Sequence, residues 1–174
     1  IVYHLGLVRW FVDHQSISSF NTRLGDWNTV AFYPAALHGV AATVAMVTNA
    51  HPVLALSAVE LLFMSVAWPL GLMALVRSVM PVGRRMIWLT ALASLSFPVF
   101  PYRLLTYGPL WPLNAAYVTV PGWLALLAWS ISPLGRRQPI RWVGVALCLA
   151  LLPGIGLLHV TGVLTALFAA WLMT

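Results

Sequence analysis

The residues able to do chemistry in this sequence are few and lie far apart. Glu60 is the only glutamate and stands near the middle of an apolar run from Val53 to Arg77. An ionised carboxylate at such a place costs several kcal/mol unless it is paired or faces water. Glu60 is therefore either a working acid or a hydrogen-bonded carboxyl at a helix interface, a buried-charge candidate in both cases. Arg103 is the only basic residue between Arg85 and Arg136. Its guanidinium can clamp a phosphate or carboxylate through paired hydrogen bonds, or reach water along its aliphatic stem. Tyr102 and Tyr107 stand close by in the sequence, and their rings suit an interfacial aromatic belt as well as a sugar-like ligand.

His4, Asp13, His14, Asp26 and His38 are the other groups that could bind a metal or move protons. Their spacing matches no metal motif, such as two histidines four apart with a glutamate between them. A divalent cation is compatible with these residue types, but no ligand pattern specifies one, and no cofactor follows. Of this set, His4, Asp13 and His38 are the candidates for catalysis, with no role yet attached. His38 sits one turn inside the segment FYPAALH, pointing into a bundle or along the mouth of a cavity; an isolated histidine there is more often a packed hydrogen-bonding residue. No phosphate loop, nucleophile elbow or paired-carboxylate motif is present.

These groups must be positioned by elements of an unusual composition. Hydrophobic residues make up 61% of the 174-residue chain and charged residues 7%, with a mean hydropathy of +0.92, where a soluble domain carries about 25% charged residues. The expected fold is all-α, a polytopic transmembrane helix bundle of about five to six spans, some short or broken. The net charge of +6 rests on nine arginines with no run longer than two. Such pairs orient membrane proteins and face lipid headgroups, so the bilayer is the expected partner and nucleic acid is not. Cys148 is the single cysteine, so no internal disulfide can form. The chain begins at Ile1 without a charged leader region and reads as a fragment of a longer protein.

Residues 1–32 form the first expected unit, an interfacial helix and polar loop, and 33–174 the second, a transmembrane helical domain. Ile1, Leu5, Val8 and Val12 fall on one stripe of a surface helix, and a polar, solvent-facing loop follows from His14 to Thr29. Spans are judged against the roughly 20 apolar residues that cross about 30 Å of hydrocarbon. Pro34 to Asn49 is short at 16 residues. Val53 to Arg77 is long enough, with a kink expected at the WPLG sequence Trp68 to Gly71. Met86 to Phe100 is again short, and Leu113 to Ile131 carries a central Pro121-Gly122 that should bend it. The last run, Trp142 to Thr174, has 33 residues; it is expected to break at PGIG, Pro153 to Gly156, into two short helices with His159 near the junction. Between the third and fourth spans, FPVFPYRLLTYGPLWP places four prolines from Phe97 to Pro112. Its backbone must leave the helix, at an interface or against a cavity.

If the connections at 1–32, 77–85 and 132–141 share a side, that side holds eight arginines and the alternate loops only Arg103. The positive-inside rule would make that side cytoplasmic. A single re-entrant segment would reverse this parity.

The segments IVYHLGLVRW at 1–10, FYPAALH at 32–38, AWPLGLMALVR at 67–77 and FPYRLLTYGPLWP at 100–112 resemble a family of large actinobacterial multi-pass membrane proteins of unestablished function. The all-arginine basic set, a coding bias of GC-rich genomes, agrees with such a source. The resemblance covers the whole chain, although His159-Val160 stands where the family pattern has a His-Pro pair. More distantly, such proteins resemble GT-C membrane glycosyltransferases, which use polyprenyl-phosphate-linked sugars. The resemblance implies a plasma-membrane protein of cell-envelope glycan assembly that performs inverting transfer, with residues 1–32 on the outer side. It also implies that His4 stands next to an acid preceding Ile1, and that Arg103, with Tyr102 and Tyr107, contacts the lipid-linked donor. This orientation opposes the arginine count. A transporter or lipid-binding subunit, whose broken helices line a path, and a non-catalytic scaffold are the competing functions.

Overall fold

The computed structural model describes residues 2–23, 30–96, 100–106, 110–131 and 140–173. The architecture is all-helical, apart from a two-residue antiparallel ladder that pairs Thr22 with Ala31 and Arg23 with Val30. Helix α1, Val2–His14, leads through this ladder to α2, Ala36–Thr48. A left-handed Asn49 at φ 55° ends α2. His51 then starts α3, its Nδ1 accepting the Val53 N–H at 3.3 Å, with Pro52 at the first helical position where its missing N–H costs nothing.

Helix α3, Pro52–Val79, is the longest and is apolar and long enough to cross a membrane; the helices at Ala36–Thr48, Trp142–Leu158 and Val160–Leu172 are apolar but shorter. The kink expected at Trp68 to Gly71 takes another form. One wide π-helical turn, Phe63–Ala67, precedes the proline, and the Trp68 N–H donates to the Phe63 carbonyl five residues back. Pro69 has no N–H to offer Ser65 and its ring crowds that carbonyl, and the wider turn relieves the conflict without ending the helix. Helices α4, Arg84–Ser96, α5, Arg103–Thr106, and α6, Trp111–Ile131, follow, and then α7, Trp142–Leu158, and α8, Val160–Leu172.

The last two helices correct the expectation at PGIG. Pro153 lies inside α7, which runs on to Leu158, and the chain turns at His159 in an extended conformation. A proline removes one hydrogen bond and bends a helix without having to stop it. His159 does stop it, because its Nδ1 accepts the Thr161 N–H and caps α8.

Close contacts fix the directions. Glu60 stands beside Asn114, and a Cβ added at Gly71 would lie 3.0 Å from the Gly122 nitrogen, so α3 and α6 run parallel with backbones nearly touching. The Trp68 Nε1 donates to the Ser94 carbonyl at 3.3 Å, which sets α4 antiparallel to α3. The Trp123 Nε1 donates to the Cys148 carbonyl at 2.9 Å, and the Arg141 N–H to the Ser130 carbonyl at 3.0 Å, which sets α7 antiparallel to α6. Helix α8 doubles back along α6, with Gly162 against Ala116 and Ala166 in the core of Val120, Trp123 and Leu124.

Two further expectations are modified. The buried side chains of α1 are His4, Leu7, Val8 and Phe11; of the expected set Val8 is among them, Leu5 and Val12 pack partly buried against the same core, and Ile1 lies outside the described residues. Leu7, Val8 and Phe11 join Leu56, Val59, Ala115, Ala116 and Leu158 in one core, so α1 is wedged into the bundle by its large side chains. That contact also separates the arginines. The ends of α3 and α6 and the starts of α4 and α7, with Arg77, Arg84, Arg85 and Arg141, lie at one end, whereas α1 packs near the start of α6 at the other. Helix α1 therefore does not lie at the end that carries Arg77, Arg84, Arg85 and Arg141.

Candidate functional site

Four elements bring polar groups together around the start of α6. Helix α1 contributes Tyr3 and His4, the segment into α2 contributes Tyr33 and His38, α3 contributes Glu60, and α6 contributes Trp111 and Asn114. His4 and His38 are buried and joined ring to ring, Nδ1 of His4 to Nε2 of His38 at 2.8 Å, with the rings stacked at 5.0 Å. Tyr3 and Tyr33 meet edge to face at 5.3 Å, each also within 6 Å of a histidine ring. The second nitrogen of His38 and the Tyr3 hydroxyl are buried with no hydrogen-bond partner. Burial, and then the neighbouring Tyr33, pushes the Tyr3 phenol up to about 12, and burial raises Tyr33 as well. Both phenols stay neutral donors at any physiological pH. Two neutral imidazoles bonded nitrogen to nitrogen share one N–H proton between the rings and keep another on an outer nitrogen, which suits proton relay better than anion binding.

Trp111 links this pair to a second centre. Its ring lies 5.6 Å from His4, and its Nε1 donates to the Leu105 carbonyl at 3.3 Å. On its other side is a cavity of about 250 Å³ lined by Leu56, Ser57, Glu60, Leu61, Met64, Leu105 and Trp111. At about 30 Å³ per water this is room for roughly eight waters or one small ring. Glu60 is 4% exposed. The fully buried amide of Asn114 stands close enough to act on the Glu60 carboxyl as a weak, off-geometry hydrogen-bond donor, and neither group has a partner of good geometry. Leaving such groups unpaired costs about 1–3 kcal/mol each, so the cavity is built for something that hydrogen-bonds. The π-helical turn of α3 begins three residues after Glu60, and such bulges occur frequently at functional sites.

The other residues singled out in the sequence are distributed around this core. Arg103 is the first residue of α5, exposed, and two positions before Leu105 of the cavity wall. Tyr102 precedes it and is half-buried; Tyr107 and Asp26 lie outside the described residues. Asp13 is exposed on α1 and pairs with Arg9 at 3.6 Å across one helical turn, a contact worth less than about 1 kcal/mol at a surface. His14 bonds through Nδ1 to the Trp10 carbonyl at 2.9 Å and stacks on Trp10. No group of three or more potential metal ligands occurs among the described residues. Sequence reading passed over Tyr3, Tyr33, Trp111 and Asn114. Asn114 alone carried a signal, as the one amide within the apolar run Leu113 to Ile131.

Residues 1–174 match the sequence model of DUF6541, a family of unknown function, and the chain belongs to that family. No curated protein and no solved structure matches it.

Proposed function

We propose that this member of a family of unknown function is a multi-pass protein of the cell membrane. In this reading its Glu60 cavity receives the sugar of a polyprenyl-phosphate-linked donor for transfer to an envelope glycan. Support for the membrane comes from the surface. Leu61, Leu70, Leu92, Leu149, Leu164 and Phe168, spread over four helices, are each more than half exposed, an apolar area a water-soluble monomer rarely shows. Only 28% of the most apolar window of α3 is covered within the chain. With the arginine-bearing end cytoplasmic, α1, the histidine pair and Arg103 fall toward the outer side, where lipid-linked sugars are used in the family resemblance.

Support for transfer rests on one observation. Glu60, buried with no well-formed hydrogen bond to either oxygen, lines a cavity whose wall includes Leu105 on the short helix that begins with Arg103. In the proposed reaction the acceptor hydroxyl oxygen attacks the anomeric carbon from the face opposite the phosphate. The bond from that carbon to the phosphate oxygen breaks, and the polyprenyl phosphate leaves with the electron pair. Glu60 is the carboxylate of this chain placed to take the hydroxyl proton, and Arg103 the cation placed to stabilise the departing phosphate. Incubating the full-length protein with polyprenyl-phosphate sugars should give a transferred sugar, and Arg103→Ala should lower the rate by about a hundredfold, the scale of losing one positioned charge. Transfer unchanged in Arg103→Ala removes that residue from the site. The apolar walls Leu56, Leu61 and Met64 favour a second reading, a lipid-binding or transport subunit, which would bind the same donors and leave them intact.

A further inference from the structure

The end of the molecule opposite the Glu60 cavity holds a second concave site. Between the last turn of α3 and the first of α4 lies a cleft of about 460 Å³, lined by Met73, Arg77, Met80, Arg84, Ile87 and Trp88 among others. Arg77 and Arg84 both line this one space, and all the acidic side chains of the chain, Asp13, Asp26 and Glu60, belong to other segments. Among the described contacts, the one ion pair is Arg9 with Asp13. Neighbouring Arg85 carries the same charge and does not line the cleft. The other lining side chains are Met73, Met80, Pro81, Val82, Ile87 and Trp88, all apolar or aromatic. Two exposed arginines beside apolar and aromatic side chains at the end of two helices form a site for a molecule that is anionic at its head and apolar behind it.

We infer that this cleft binds the phosphodiester headgroup of an anionic phospholipid, with Arg77 and Arg84 on the phosphate and the start of an acyl chain against Met73, Ile87 and Trp88. The inference rests on the membrane reading above and is independent of sugar transfer. Guanidinium and phosphodiester both keep their charge from about pH 5 to 9, so retention should be flat over that range. A free phosphate monoester or inorganic phosphate changes charge near neutrality.

The test is native mass spectrometry of the full-length protein released from detergent with dioctanoyl-phosphatidylglycerol, dioctanoyl-phosphatidylcholine or inorganic phosphate. One retained phosphatidylglycerol is expected, favoured over phosphatidylcholine by about tenfold, with a loss of similar size in Arg77→Gln and in Arg84→Gln. Arg85→Gln should keep the wild-type retention, which separates a built site from the general attraction of a basic surface. Equal loss in Arg85→Gln, equal retention of the two lipids, or inorganic phosphate displacing the phosphatidylglycerol would each overturn the inference. If no lipid preference appears while the protein still inserts into phosphatidylglycerol vesicles, the cleft assignment fails and the membrane reading stands.

Discussion

Burying two imidazoles against each other makes each a hydrogen-bond partner of the other, so removing either strands a nitrogen of its neighbour. His4→Leu or His38→Leu should each lower stability by about 1–3 kcal/mol. The double substitution should cost at least about 1 kcal/mol less than the sum, since both stranded groups are then gone. Denaturant unfolding of the four proteins measures that coupling. Tyr3 supplies a second check at this scale. Its folded-state pKa is raised above the ordinary 10.0 to about 12, so the folded state keeps a proton that the unfolded state loses. Stability is then level below about pH 10 and falls as pH rises from there toward 12, and ultraviolet titration of the phenols should find a tyrosine ionising only at the top of that range. At this scale the sequence betrayed single groups and hid their partners. Glu60 stood out as a charge in an apolar run and His38 as a histidine one turn into a helix. His4 lies 34 residues from His38, and no local pattern encodes so distant a pairing.

Helix contacts in this fold depend on missing side chains, and two glycines separate packing from propensity. A Cβ at Gly162 would meet the Ala116 Cβ at 2.7 Å and the Ile155 Cγ2 at 3.0 Å, whereas one at Gly154 would meet nothing within 4 Å. Gly162→Ala should therefore destabilise by about 1–3 kcal/mol through forced separation of α8 from α6. Gly154→Ala, inside α7, should stabilise by about 0.5–1 kcal/mol because alanine loses less backbone freedom. Thermal unfolding of the two variants should move in opposite directions. Element types and most positions followed from apolar run length and punctuation, but the breaks within runs did not. Pro153 looked like a stop and is carried inside α7. His159 is the stop because its side chain caps the next helix, a role that depends on an Nδ1 to Thr161 N–H contact of 3.3 Å. On α1, aliphatic periodicity marks Val8 as inward with Leu5 and Val12 at the edge of the core, but does not reveal that Phe11 and His4 are buried as well.

For the whole molecule, the parallel course of α3 and α6 sends the arginine-bearing connections to one end and α1 with the polar cluster to the other. Counting arginines along the sequence merged α1 with the wrong end, because run lengths alone do not show that it packs against the start of α6. A cysteine introduced at Ser18 should react with a membrane-impermeant maleimide in intact cells, and one introduced at Gly83 only after permeabilisation. The reverse pattern would invert the orientation and place the Glu60 cavity at the cytoplasmic face. Sugar transfer at this cavity, as proposed, is tested most directly by transfer from a polyprenyl-phosphate sugar by the full-length protein with Glu60 intact or replaced by the near-isosteric glutamine. The expected result is donor binding preserved and transfer reduced by at least about a hundredfold in Glu60→Gln; equal transfer by the two proteins would contradict it.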